Sequence, residues 1–461
     1  MKYRTGLMLG AAFAIGVLVG PAASLLESRT GVHLFTAAQA QQDNTRSDAY
    51  SMLNLFADVF EKVRADYVEP PKERAMIENA LNGMLSGLDP HSRYINPRAY
   101  RAQQVEQKGE FGGLGIEITA ESGFIKVISP IDDTPAKRAG VKAGDLIVAI
   151  DGKTVLGMTL EDAVDKIKGA PNTKVSVSIR RVGVDKPIEI TMVRESIKTP
   201  VVKARLEGDA AYIRLSSFMN EHGDTDLRAA FAKLKSQANG KLAGVVLDLR
   251  SNPGGLLDQA VAVTTDFLKQ GEIVSIRGRH PEDSHRWQAK NGDITDGLPL
   301  VVLIDGGSAS ASEIVAGALQ DHRRAILVGT RSFGKGSVQT VSPLGNNGAM
   351  ALTTARYYTP SGRSIQGAGI TPEVEVMLTP DEKPGFFPAH EADYKGALSN
   401  IGGTPVGSLA PRTDLPAMVK NIPKKPPEGA PAFDPAKPET DFQLQEALAV
   451  LHAMPHQQAS N

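Results

Sequence analysis

Apolar positions fall at helical spacing near the start of the chain and change period through its middle. In "LNLFADVFEKVRADYV", Phe56, Val59, Phe60, Val63 and Tyr67 share one helical face. In "MIENALNGMLSGL", Ile77, Ala80, Leu81, Met84 and Leu88 repeat the pattern, and Gly87 with "DPHS" ends it. These runs predict an N-terminal helical region over 41–108. From Gly109 the period shortens: "FGGLGIEI", "FIKVISPI", "GDLIVAIDG", a helix at "TLEDAVDKIKG", then "KVSVSIRR". Strands with Gly and Asp punctuation and one helix predict a small β-rich module over 109–195. From about Ala210 a third style begins. "AAYIRL", "GVVLDLR", "PLVVLID" and "RAILVG" are short apolar strands separated by helical stretches, which predicts an α/β layer over 196–380. Residues 381–461 read as a Pro- and Lys-rich linker ("NIPKKPPEGAPAFDPAKP") followed by a last helix, "DFQLQEALAVLHAM".

Composition narrows the chemistry. The 461 residues carry 51 basic and 52 acidic side chains, so no global field recruits nucleic acid. There is no cysteine, which removes disulfides, thiolate nucleophiles and cysteine-ligated zinc. The start of the chain changes the picture more. "MKYR" is followed by the uncharged run "GLMLGAAFAIGVLVGPAASLL", expected to be an export signal or membrane anchor within 1–40. Ala38 and Ala40 in "TAAQA" offer an A-x-A cleavage site, so cleaved and anchored forms both stay open, with the rest of the chain outside the cytoplasm.

Two readings compete for "GTRSFGKGSVQ". Gly329, Gly334 and Lys335 fit most of a phosphate-cradling loop, with Asp248 as the acidic partner of magnesium. Against it, Gly336 stands where a metal-binding hydroxyl belongs, and "SVQTVSPL" is strand-like, not the helix that would hold phosphates. The other reading makes Lys335 a buried base. Desolvation disfavours an ammonium, so a buried lysine can be neutral near pH 7. Strand parity puts Lys335, Ser337 and Gln339 on one face, where Gln339 would orient the amine without adding charge. The nucleophile to match it lies in "DGGSASASEIVAGAL", where a strand ends at Asp305, glycines turn the chain and a small-residue helix starts. Ser308 or Ser310 is the candidate there, the alternative being a simple helix cap. His280, His285 and His322 lie among polar residues and read as surface side chains. Oxyanion donors would come from Gly254 and Gly255 of "LDLRSNPGG", paired with the N–H of Ala311.

The motifs "LDPHSRY", "FGGLGIEI", "GVKAGDLIVAIDG", "VVLDLRSNPGG", "GSASASEIVAGALQD" and "GTRSFGKGSVQT", spread over roughly residues 45 to 380, resemble the C-terminal processing peptidases, the tail-specific proteases of peptidase family S41. The resemblance implies a serine protease with a crotonase/ClpP-like ββα core, an inserted PDZ domain and helical segments at both ends. It implies Ser310 as nucleophile, Lys335 as general base and Gln339 as their support, with Gly255 and Ala311 as oxyanion donors. In the PDZ domain it implies a carboxylate-binding loop of Gly113, Leu114, Gly115 and Ile116, with Glu117 to Thr119 as peptide-pairing strand and Lys168 as the link to the protease site. No metal or organic cofactor is implied. The implied partners are protein substrates with apolar C-termini and further copies of the chain, the terminal helices Phe56 to Val68 and Phe442 to Met454 being the assembly surfaces. An accessory lipoprotein is a partner the family allows, though no residue here points to it. The implied location is the periplasmic or envelope side of a bacterial inner membrane. The alternative is a non-catalytic PDZ adaptor on a hydrolase-like scaffold.

Overall fold

The computed structural model describes residues 37–290, 292–379, 390–401, 412–434 and 437–455, with side chains from residue 48 onward. The apolar run at the start of the chain, and the export role expected of it, lie outside the described residues. Among the described residues no helix is long and apolar enough to cross a membrane.

The chain divides into a unit ending at Asn79 and a second beginning at Ala80. The first holds helix α1 (Ala37–Asp66) and the start of α2 (Glu73–Ser86). Phe56 and Val59 of α1 are exposed, as is Tyr67 just past its end. An amphipathic helix is stable when its apolar stripe is covered, so α1 presents a face without a partner among the described residues.

In the second unit, strand β1 (Arg93–Ile95) leads into helix α3 (Pro97–Gln107), whose first turn is capped by Asn96, its Oδ1 accepting from Ala99 N at 2.9 Å. The chain then leaves for the β-rich module along β2 (Glu110–Gly113). The module contains β3 (Ile116–Glu121), β4 (Phe124–Pro130), a one-turn helix α4 (Pro135–Arg138), β5 (Leu146–Ile150), β6 (Lys153–Thr154), α5 (Leu160–Ile167), β7 (Lys174–Arg180) and β8 (Ile188–Val193). The chain returns along β9 (Glu195–Lys198), which pairs with β2 in a two-stranded ribbon. The module's sheet runs β3-β4-β5-β7-β8, so β3 is an edge strand. Its core is built from alternate residues such as Ile125, Val127, Ile147, Val175, Val177 and Ile179, closed by Ala163 and Ile167 of α5. Arg194 terminates α5 by donating Nε to Ile167 O and Nη2 to Lys166 O, both at 2.8 Å.

The α/β layer is a six-stranded sheet of β10 (Val202–Glu207), β11 (Ala210–Leu215), β12 (Gly244–Asp248), β15 (Leu300–Ile304), β16 (Ile326–Gly329) and β19 (Val374–Glu375), in that order. All neighbours from β11 to β19 are parallel. Helices α6 (Gly223–Gln237), α7 (Leu257–Thr265) and α8 (Ala311–Asp321) follow β11, β12 and β15. The intervening β13 (Gln270–Gly278) and β14 (His285–Lys290) belong to a second sheet, ordered β1-β18-β13-β14, with β17 (Ser337–Pro343) also pairing β18 (Ala349–Tyr358). Every residue of β12 and β15 is buried, as continuous apolar parallel strands must be. Each such Val, Leu or Ile contributes about 1.5–3 kcal/mol by leaving water.

Two C-terminal expectations change. The apolar face of the last helix, α9 (Phe442–Ala453), on which the expected assembly surface rested, is already covered. Leu444, Ala447, Val450 and Leu451 are buried against Val246, Val301 and Ile326, so its apolar face covers the chain's own sheet. The stretch read as a linker is partly folded onto the core: Val419 is buried, and Met377 N donates to Lys424 O at 2.8 Å.

Candidate active site

In a parallel sheet, groups placed after neighbouring strands meet at the carboxyl edge. Here Pro253 to Gly255 follow β12, Ser310 follows β15 and Lys335 follows β16. With Ala311, Gln339, Tyr357 and Arg93, they line one cleft of about 350 Å³. A larger cleft, about 920 Å³, lies where the β2/β9 ribbon meets β10 and α6, and contains none of these groups.

The strand-turn-helix after β15 selects among the serines. Ser308 is buried, its Oγ donating to Leu249 O at 2.8 Å, and Ser312 is buried, its Oγ donating to Asn252 O at 2.8 Å. Of the three serines in "SASAS", only Ser310 lines the cleft. Its φ of 55° is unusual for a residue with a side chain and marks a strained turn of the kind found at functional sites. Gly254 makes that turn sterically feasible. At its φ of 95°, a Cβ would stand 2.8 Å from Ala311 N and 2.9 Å from Ser310 Cβ. The N–H of Gly254 is already given to Asn252 Oδ1 at 2.9 Å.

Lys335 sits in the loop before β17 and is partly buried on the cleft wall. Desolvation pulls its ammonium below the ordinary lysine range. Glu391, Glu313 and Asp89 oppose that pull, and Arg93 adds to it. Ser337 and Gln339 lie on one face of β17, Gln339 Nε2 donating to Ser337 Oγ at 3.0 Å and to Thr353 Oγ1 at 3.1 Å. Lys335 precedes that strand, so loop geometry and not strand parity brings it to the same cleft.

Sequence reasoning missed Glu313. Its buried carboxylate takes Ser310 N at 2.8 Å and Lys335 N at 2.9 Å on Oε2, with Ser332 Oγ at 2.5 Å and Gly334 N at 2.6 Å on Oε1. One side chain therefore ties the serine turn to the lysine loop. The Ser310-x-x-Glu313 spacing is a capping-box signature and was the available signal. Burial pushes this carboxyl up to about 7, its hydrogen bonds pulling the other way. All four of these neighbours are donors, which suits an ionised carboxylate. The sign for stability follows from a folded value above the unfolded one. Between about 4.5 and 7 the unfolded state ionises first, so Glu313 makes stability fall as pH rises through that window. Glu313→Gln keeps the shape but offers one acceptor oxygen to these donors. It is expected to lower stability by about 2 kcal/mol or more and to slow reaction of Ser310 with a fluorophosphonate. Urea unfolding and labelling kinetics check this, and wild-type values in both would contradict the assignment.

The "LDPHSRY" segment, read only as a helix end and a family motif, is also part of the site. Asp89 accepts from His91 N at 2.8 Å, Ser92 Oγ at 2.6 Å and Thr353 Oγ1 at 3.0 Å, so it supports the residue that Gln339 touches. Asp248, the proposed magnesium partner, instead forms a buried ion pair with Arg250 at 2.7 Å. With strand β17 in place of a helix after Lys335, the phosphate-loop reading has no structural basis. His322 Nε2 lies 2.7 Å from Glu272 O and does not line the cleft.

In the β-rich module, Gly113 ends β2 and Leu114 is buried in the module core. Gly115, at φ 73°, packs where a Cβ would lie 2.4 Å from Thr134. Ile116 and Glu117 begin the edge strand β3. Lys168 does not reach the cleft: its Nζ stands 4.5 Å from the centroid of the Phe111 ring, on the β2/β9 ribbon. A different residue joins the two regions. Arg98 at the start of α3 pairs with Asp165 at 2.7 Å and Asp162 at 3.3 Å on α5, while Gln103 and Gln107 of the same α3 line the Ser310 cleft.

Known proteins match this chain over the same regions. The profile of peptidase family S41 matches residues 209–376, and that of a PDZ domain matches 126–181. A carboxy-terminal-processing protease of Bartonella bacilliformis is 51% identical over 420 residues, covering 91% of this chain and 92% of that protein. A carboxyl-terminal-processing protease of Synechocystis sp. is 36% identical, covering 77% of this chain and 84% of its own. The solved structure of a photosystem II D1 C-terminal processing protease is 31% identical, with a TM-score of 0.41, covering 71% of this chain and 93% of that one.

Proposed function

This chain belongs to the carboxy-terminal-processing serine proteases of peptidase family S41, and on that footing we propose that it is an exported endopeptidase acting through Ser310 and Lys335 on proteins whose C-terminal tails its PDZ domain captures. The observation that carries the reading is the single cleft shared by Ser310, Lys335, Gln339, Gly255 and Ala311. Neutral Lys335 Nζ takes the proton of Ser310 Oγ as Oγ bonds to the scissile carbonyl carbon. The developing oxyanion receives the N–H groups of Gly255 and Ala311, since Gly254 N–H is committed to Asn252. The ammonium then returns its proton to the leaving amine. Water, deprotonated by the same lysine, bonds to the acyl carbon, and the ammonium returns that proton to Ser310 Oγ as the carbon–Oγ bond breaks. Gln339 holds the wall beside the lysine without adding charge. A crotonase-like reading of the core suits these roles, because that layout gathers its chemistry after parallel strands.

The edge strand β3 and the wall of α5 suit an extended peptide that adds a strand and ends in a free carboxylate near Gly113 to Glu117. Arg98 gives that event a route to the cleft, since movement of α5 pulls on the helix that carries Gln103 and Gln107. The exposed apolar residues of α1 suit assembly of further copies. The uncharged N-terminal run suits delivery to the envelope side of a bacterial inner membrane.

The test is cleavage of a folded protein bearing an apolar C-terminal tail, read by product mass. Trimming is expected with a free terminal carboxylate, at least tenfold slower with an amidated one, and absent in Ser310→Ala. Equal trimming of both tails would remove the PDZ role, and cleavage by Ser310→Ala would remove the nucleophile.

A further inference from the structure

Residues 390–394 lie beyond the matched protease region, yet they pack on the Lys335 loop. Glu391 N donates to Phe333 O at 3.1 Å, and the Tyr394 ring stands 6.0 Å from that of Phe333. The Glu391 side chain is buried, 1% exposed, and both its oxygens are engaged. His91 Nε2 meets Oε2 at 2.8 Å, and Gln366 Nε2 donates to Oε1 at 2.8 Å. The other end of the Gln366 amide accepts from Gly336 N at 3.0 Å. Glu391 is thus joined to the chain on both sides of Lys335, through Phe333 before it and Gly336 after it. A buried carboxylate so placed, with no role in bond making, needs a reason to be kept charged, because burying it is costly unless it is paired.

We propose that Glu391, held by His91 and Gln366, is a positioning residue for Lys335: it fixes the lysine loop and supplies the counter-charge to the ammonium formed when Ser310 gives up its proton. The idea rests on the assignment of Lys335 as base. The charged groups that act on the lysine come from several elements: Glu391 from the C-terminal segment, Glu313 from α8, and Asp89 and Arg93 from the chain entering β1. Glu391 heads the anions in this set. Burial pushes its own carboxyl up, but the bonds from His91 and Gln366 outweigh that and hold it below the usual range, so it is anionic where the enzyme works. All three carboxylates are hydrogen-bonded, Glu313 to the Ser310, Gly334 and Lys335 backbone and Asp89 to Ser92 and Thr353, so what sets Glu391 apart is the way it grips the loop. Glu391 is the carboxylate whose backbone and side chain both brace the lysine loop.

The test is the pH dependence of Ser310 inactivation by a fluorophosphonate in the full chain, for wild type, Lys335→Ala, Glu391→Gln and Glu391→Asp. Melting curves confirm that each variant is folded. Removing the anion lowers the lysine's affinity for a proton. Glu391→Gln is therefore expected to move the midpoint of the rising limb down by about half a pH unit or more. Its plateau rate is expected to fall about tenfold, because the forming ammonium has lost a nearby anion and its loop has lost a brace. Glu391→Asp keeps the charge and is expected to keep the wild-type midpoint, whatever its plateau. The proposal is overturned if Glu391→Gln follows the wild-type profile, or if Glu391→Asp shifts as far as Glu391→Gln. A wild-type profile in Lys335→Ala would overturn the base assignment, and this inference with it. Loss of inactivation there, with coincident profiles for wild type and Glu391→Gln, would overturn this inference alone.

Discussion

Lys335→Ala is expected to lower kcat/KM on a tailed protein substrate by about a thousandfold, within the range set by loss of a general base. Lys335→Arg is expected to do no better. A guanidinium stays protonated at any working pH and cannot accept the Ser310 proton. The wild-type rate is expected to rise with pH through the folded-state titration of Lys335, which burial places below the ordinary lysine value. Stability follows the same proton. Below the folded value the lysine is charged in both states and its burial cost is fully present. As pH rises from there toward the unfolded value, the folded state loses the proton first and stability increases. Steady-state kinetics on both variants, with Ser310→Ala as the floor, decides the matter. A Lys335→Ala enzyme within tenfold of wild type would return this lysine to the status of a loop residue.

Arg250→Met is expected to destabilise the fold by about 3–5 kcal/mol. Arg250 is buried at the end of β12, where Nη2 lies 2.7 Å from Asp248 Oδ2 and 2.7 Å from Asp441 Oδ2. Its Nη1 donates to Gln443 Oε1 at 3.1 Å, so the same guanidinium holds the start of α9. Asp248 would keep Tyr212 Oη at 2.7 Å and Arg214 Nη1 at 3.3 Å, but lose its nearer, buried counter-ion. Burial beside Asp248 pushes the Tyr212 phenol up, so that bond survives as a donor to the carboxylate. The double variant Asp248→Asn, Arg250→Met removes both charges of this pair and is expected to recover part of the loss, since the buried carboxylate left with Arg214 alone is gone. Urea unfolding of both variants checks this. A single variant as stable as wild type would mean the pair is not what anchors α9. Because Asn252 and Gly254 follow directly, the single variant is also expected to reduce activity more than its melting point alone explains.

Much of this protein was legible in the chain itself. Period-2 strands from Gly109 and unbroken apolar strands from Ala210 separate a β-rich module from a parallel α/β layer, because each pattern reports which faces are buried. The turn "DGGSASAS" and the glycines around Lys335 mark backbone placed for chemistry, and Ser310-x-x-Glu313 carried a cap signal that was overlooked. These are short-range features, set by local sterics and by periodicity. Tertiary structure alone decided the rest. It consumed Ser308 and Ser312 in hydrogen bonds and left Ser310 facing the cleft. It turned Asp248 from a metal-ligand candidate into the partner of Arg250. It folded α9 onto the sheet where the sequence suggested an assembly surface, since an apolar stripe does not say which surface covers it. And it brought His91 to Glu391 across 300 residues of chain, beside a lysine that neither adjoins in sequence. A side chain's neighbours across such a span depend on how layers pack, and no local pattern records that.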